Sequence, residues 1–180
     1  MTERVAGIYI HVPFCQGRCI YCDFYSTTEG EEWKSRYVDA LLAELRMRRD
    51  ELPLARVRSI YIGGGTPSQL PVKALSGILN EVCRLFPVDS DAEVTVEANP
   101  DDVTPEWLAA LSHTPVNRLS MGVQSFDDAL LRLIRRRHTA QQAVCAVEQA
   151  ARHGISNVSI DLIYGLPTQT MEQWQAGGHR

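Results

Sequence analysis

VAGIYIHVPFCQGRCIYCDFYS, residues 5–26, joins a strand-like apolar run to three closely spaced cysteines. Val5–Val12 reads as a β-strand, and Cys15, Cys19 and Cys22 follow it as C-x3-C-x2-C with no fourth cysteine nearby. A thiolate site that takes four ligands has three here. Either another residue completes it, or its chemistry needs an open position.

Downstream of this loop, strand and helix patterns alternate. Residues 33–52 read as a long amphipathic helix, 57–62 (VRSIYI) as a second strand and 72–86 as a helix. Residues 93–98 (EVTVEA) read as a third strand, and a helix opens near Thr104 and Pro105, where threonine caps and proline suits the first turn. A fourth strand is expected over 116–123 (VNRLSMGV), then helical patterns over 127–136 and 140–153, with Gly154 as a stop. Residues 157–164 (NVSIDLIY) read as a fifth strand, and another helix starts after Pro167. This rhythm predicts parallel βα units with right-handed crossovers, an α/β barrel, open or closed, with a doubly wound sheet as the alternative.

The 180 residues are 44% hydrophobic, enough for one domain with a real core, and no linker or second-domain boundary interrupts them. A formal net charge of −4 argues against nucleic acid as the main partner. No apolar run approaches the roughly 20 residues that span a bilayer. The opening VAGIYIHV is too short and too quickly polar for a signal peptide. Five cysteines, three of them in one short loop, read as metal binding or catalysis rather than disulfides, which makes the cytoplasm the expected location.

In parallel α/β barrels the strand C-termini share the face that carries the active site. The cysteine loop, Gly63-Gly64-Gly65-Thr66-Pro67, Glu97 with Asn99 and Pro100, Gln124 with Ser125, and Asp161 all fall at such strand ends. Each has a bland alternative. The cysteines could hold structural zinc with His11 as the fourth ligand, or an iron–sulfur cluster with one iron left open. The glycines could simply make a turn; otherwise they offer bare backbone to a small polar ligand. Asp161, expected to be buried in an apolar strand, needs a partner such as a ligand hydroxyl or an arginine. Cys83 and Cys145 lie on helical patterns and are expected to be small core residues. His113, His138 and His153 show no ligand spacing.

The ordered motifs Y-x-H-x-P-F-C-x3-C-x-Y-C-D-F from Tyr9, GGGTPS, EANP, RLSMGVQSF and DLIYGLP resemble the radical S-adenosylmethionine (SAM) proteins. More narrowly, they resemble the oxygen-independent coproporphyrinogen III oxidase-like branch, from Tyr9 to about Gln169. That resemblance implies a partial (β/α) barrel of radical SAM type, with about five of six βα units in these residues. It implies that Cys15, Cys19 and Cys22 hold a [4Fe–4S] cluster whose open iron is chelated by SAM, reduced by an external electron donor. Tyr9 and Tyr21 would flank SAM, and Gly64, Gly65 and Thr66 would present backbone to its methionyl end. Glu97, Gln124, Arg136 and Asp161 would complete the pocket, although Arg136, between Arg135 and Arg137, could instead be a solvated helix end.

One departure from the branch matters. Its oxidases carry a further cysteine two positions after the third, where this chain has Phe24. With the EANP and GVQSF wording, that resembles the heme chaperone subgroup, which binds heme and passes it to acceptor proteins; the alternative is an oxidase of the branch, which decarboxylates coproporphyrinogen III. The resemblance further implies that residues 1–180 are a radical SAM core cut short of a C-terminal region. A fifth strand at an uncovered edge, beside an apolar barrel interior, would then favour association.

Overall fold

A computed structural model describes residues 4–49 and 56–178. Five strands, β1 (Val5–Val12), β2 (Arg56–Gly64), β3 (Val88–Ala98), β4 (Arg118–Gln124) and β5 (Asn157–Leu162), form one sheet. They lie in chain order, and each pairs in parallel with the next. Sequential order excludes the reversal that marks a doubly wound sheet and leaves an open partial barrel.

The helices α1 (Glu31–Arg48), α2 (Val72–Leu85), α3 (Pro105–Leu111), α4 (Asp128–Leu133) and α5 (Ala140–Arg152) lie between the strands, and α6 (Met171–Gly178) follows β5. Thr104 caps α3 by accepting from Trp107 N, and Thr139 forms a capping box with Gln142 at the start of α5. Gly154, with φ +87°, stops α5 as expected. Helix α1 begins two residues before its predicted start, and the predicted stretch 50–52 lies outside the described residues. Helix α4 is shorter than predicted because Arg135 takes φ +59°, which no α-helix accommodates.

One face of the sheet carries Ile10, Val12, Ile62, Val94, Val96, Leu119, Met121 and Val123, all buried in the main core with the α2 residues Leu75, Ile78, Leu79 and Val82. Cys83 and Cys145 are not core residues but exposed. Each stands about 100° round its helix from a buried neighbour, Val82 or Ala146, which places it off the apolar stripe.

The other face is polar, not apolar as expected. Arg118 donates to Thr95 Oγ1 at 3.3 Å and to Ser159 Oγ at 3.0 Å, and Ser159 Oγ donates to Ser120 Oγ at 3.2 Å. Pairing puts Glu97 beside Ser120, Ser120 beside Ser159 and Gly122 beside Asp161. A row of polar side chains therefore crosses the concave face toward the strand C-termini.

Candidate cofactor site

The cysteine loop is closed at its base, where Cys15 N donates to Thr27 O at 2.9 Å and Thr27 N to Pro13 O at 2.7 Å. Phe14 anchors it, packing edge-on against Tyr37 with ring centroids 5.4 Å apart. The end of β2 is stitched to the same segment: Gly65 N donates to Val12 O at 2.7 Å and Thr66 N to Phe14 O at 2.8 Å.

That contact explains the glycines. A Cβ on Gly64 would stand 2.7 Å from the His11 ring, and one on Gly65 2.8 Å from the Pro13 carbonyl. Gly64 also has φ +116°, a conformation open to glycine. The first use of this run is thus the close approach of two protein segments. The N–H groups of Gly64, Gly65 and Thr66 already have protein acceptors, that of Gly64 being Glu97 Oε2 at 2.9 Å.

These segments and the ends of β3, β4 and β5 line a cavity of about 410 Å³. Cys15, Cys19, Cys22, Tyr21, Gly64, Gly65, Thr66, Glu97, Gln124, Arg136 and Asp161 all line it; Tyr9 does not. Tyr9 stacks on Tyr61, with centroids 6.1 Å apart, and Tyr61 donates to Glu97 Oε1 at 2.6 Å. Tyr9 therefore meets the cavity wall through Tyr61 and Glu97. Burial, and then the bond to Glu97, pushes the Tyr61 phenol up to about 12, so it stays a donor at neutral pH. Burial also raises Tyr21, against the opposing pull of Arg136.

Asp161 is exposed on the edge strand rather than buried, which removes the desolvation problem its apolar neighbours suggested. The three arginines separate cleanly. Arg135 is exposed, and Arg137 pairs with Asp101 at 2.7 Å and Asp102 at 3.1 Å. Arg136 turns inward, donating to Asn99 Oδ1 at 2.6 Å, to the Gly122 carbonyl, and to Cys19 Sγ at 3.6 Å.

The donor set fits a thiolate-bound metal–sulfur group. All three cysteines are free and partly buried. Thr66 Oγ1 donates to Cys15 Sγ at 3.6 Å, as Arg136 does to Cys19, so two of the three sulfurs already have hydrogen-bond donors that fix their positions on the cavity wall. His11, the candidate fourth ligand for zinc, has both ring nitrogens engaged: Nδ1 with the Tyr9 hydroxyl and Nε2 with the Tyr25 carbonyl. Among the described residues no three His, Cys, Asp or Glu side chains are grouped tightly enough for a single ion. Three thiols spread around one cavity, one of them beside an arginine, suit a larger anionic cluster.

Asn99 lines the cavity as its strand-end position predicts, and Ser120, Gly122 and His138 are further residues of the site or its support. The period-two polar positions Thr95-Glu97, Ser120-Gly122 and Ser159-Asp161 were the available signal for the polar face. For His138 no spacing signal existed.

A parallel βα sheet with a three-thiol loop over a polar cavity at its strand C-termini defines a cofactor-binding partial barrel. The profile of the Radical SAM superfamily matches residues 9–176, and the chain belongs to that superfamily. The chain is 40% identical over 172 residues to the heme chaperone HemW of Lactococcus lactis, covering 96% of this chain and 44% of that protein. It is 39% identical over 168 residues to HemW of Escherichia coli, covering 93% and 44%. The solved structure of coproporphyrinogen III oxidase HemN from Escherichia coli, a radical SAM enzyme, superposes with a TM-score of 0.89 at 31% identity, covering 99% of this chain and 41% of HemN. The chain thus spans less than half the length of these relatives. Among the described residues, no helix is long and apolar enough to cross a membrane.

Proposed function

We propose that these residues form the cluster- and SAM-binding core of a heme chaperone of the HemW kind. The observation that carries this reading is Phe24, which is 68% exposed on the cavity rim at the position where the related oxidases carry a further cysteine. A phenyl ring supplies neither a thiolate nor a proton, so whatever that cysteine does in the oxidases is absent here. Identity near 40% to HemW proteins, against 31% to HemN, supports the same choice.

In this reading Cys15, Cys19 and Cys22 hold the cluster and leave one iron for SAM. When bound, the two groups together supply one-electron chemistry. Thr66 and Arg136 steady the thiolates through their bonds to sulfur. Because the N–H groups of Gly64, Gly65 and Thr66 are engaged, the glycine segment would have carbonyl oxygens to offer a SAM ammonium, and the Glu97 carboxylate would add an opposite charge. Arg136 and Asp161, which both line the cavity, would hold the SAM carboxylate and its ribose hydroxyls. Tyr21 and Phe24 supply an aromatic rim to this end of the cavity. Heme, its acceptor proteins and the electron donor are partners of the whole protein.

The test is anaerobic incubation of the full-length reconstituted protein with SAM, reductant and coproporphyrinogen III, with products resolved by chromatography. The expected result is SAM and heme binding, heme transfer to an apo-acceptor, and no protoporphyrinogen IX. Multiple turnovers to protoporphyrinogen would make it an oxidase, the reading that the structural likeness to HemN favours.

A further inference from the structure

The end of β4 carries a strained residue. Gln124 has φ +67°, a region that residues other than glycine avoid. Ser125 N donates to Val123 O at 2.8 Å, closing a turn of i to i+2 type around Gln124, the rare form of γ-turn with a positive central φ. Pairing with β5 slips at the same place, from Gly122 opposite Asp161 to Gln124 opposite Leu162. The turn bends Gln124 back over its own strand. The point where a Gly122 Cβ would stand is 2.7 Å from Gln124 Nε2 and 3.4 Å from Arg136 Nη2, so the amide and the guanidinium sit together over this glycine in the cavity.

Backbone strain of this kind persists only where the surroundings over-determine it. The Gln124 carbonyl accepts from Ile163 N at 2.9 Å, and the Gly122 carbonyl accepts from Arg136. The turn-closing oxygen, Val123 O, accepts a second bond from His138 Nε2 at 3.0 Å. His138 is 2% exposed, and its Nδ1 is buried without a partner. Burying an imidazole with one nitrogen unsatisfied is costly, and the bond to Val123 O is the use the fold makes of that ring. Nε2 must carry the proton, since a carbonyl can only accept.

We propose that His138 is a positioning residue for SAM binding: by clamping the Val123 carbonyl it holds the strained turn, and the turn holds the Gln124 amide beside Arg136 in the cavity. This rests on the reading that the cavity takes SAM. The imidazole does not line the cavity. It acts only through Gln124, which separates it from a cavity-lining ligand contact and makes its effect conditional on that side chain.

The experiment measures SAM affinity by equilibrium dialysis on the reconstituted protein, together with the change SAM produces in the electron paramagnetic resonance spectrum of the reduced cluster. His138→Asn cannot reach Val123 O, while His138→Gln carries an amide N–H at a reach close to that of Nε2. Iron and sulfide content should match the unsubstituted protein in both. His138→Asn should weaken SAM binding roughly tenfold and blunt the spectral change, the scale expected when one strained turn is released. His138→Gln should restore both. In a Gln124→Ala background His138→Asn should add nothing further, because the two residues act as one unit. Equal affinity for the two His138 variants, or additive losses in the double variant, would overturn the proposal. If a substitution disrupts cluster loading, the same comparison made by thermal unfolding should still rank His138→Gln above His138→Asn, and equal stabilities would overturn it. Failure of the unsubstituted protein to bind SAM at all would instead remove the cofactor reading beneath it.

Discussion

Arg136 Nη1 donates to Cys19 Sγ at 3.6 Å, which ties the segment after α4 to the cysteine loop after β1 across the cavity. The same guanidinium holds Asn99 at the end of β3 and the Gly122 carbonyl in β4. One side chain thus gathers three separate parts of the chain around the site. Its planar fork suits this task, and a lysine could satisfy only part of the set.

Replacing Arg136 with methionine should therefore act twice. It leaves the Asn99 and Gly122 acceptors unpaired, at a cost of about 2 kcal/mol in chemical denaturation. It also removes positive charge beside Cys19, which should shift the midpoint potential of the loaded cluster to more negative values in a potentiometric titration. A potential equal to that of the unsubstituted protein would count against placing the cluster at Cys19.

The metal assignment has its own test. Cys15→Ala, Cys19→Ala and Cys22→Ala should each abolish iron and sulfide uptake on anaerobic reconstitution. Cys83→Ala and Cys145→Ala, on exposed helix faces, should load fully. Stoichiometric zinc with no iron uptake would sink the cluster reading.

The glycines after β2 should resist substitution for packing reasons, with or without ligand. Gly65→Ala drives a Cβ to 2.8 Å from the Pro13 backbone and should cost about 2 kcal/mol or more. Gly64→Ala meets the His11 ring and adds the strain of φ +116°. Gly17→Ala, with nothing within 4 Å of its Cβ, should leave the stability of the metal-free protein within about 0.5 kcal/mol.

Acid should destabilise the fold through His138 before the carboxylates respond. Burial first, and then the Arg136 charge, lowers its imidazole from 6.5 to about 4; Arg137 acts in the same sense, while the Val123 bond and Asp128 oppose it. The folded state binds this proton less readily than the unfolded chain, so the His138 contribution is intact above pH 6.5. It is lost progressively as pH falls from 6.5 toward 4, to a total on the order of 3 kcal/mol. His138→Gln, which keeps a donor but cannot titrate, should flatten the stability profile between pH 6.5 and 5 in urea melts. An unchanged slope in that variant would assign the acid sensitivity elsewhere.

The local code of the chain determined the βα rhythm, the parallel sheet and the positions of the loops that carry chemistry. Alternation of apolar runs, the Thr104 cap and the stop at Gly154 are short-range signals, and each appears in the structure at its expected place. The cysteine spacing and the ordered motifs likewise placed nearly the whole cavity wall. Tertiary structure decided what depends on contacts between distant segments. Which of three consecutive arginines turns inward follows from Arg135 breaking α4 and from acceptors at Asn99 and Gly122. That Tyr9 stands behind Tyr61, that the glycines serve a close approach of β2 to the cysteine loop, and that His138 clamps Val123 are likewise facts of packing across β1, β2, β4 and the segment before α5. A residue's neighbours in sequence set its backbone preference, while the carbonyl it finds after folding sets its role.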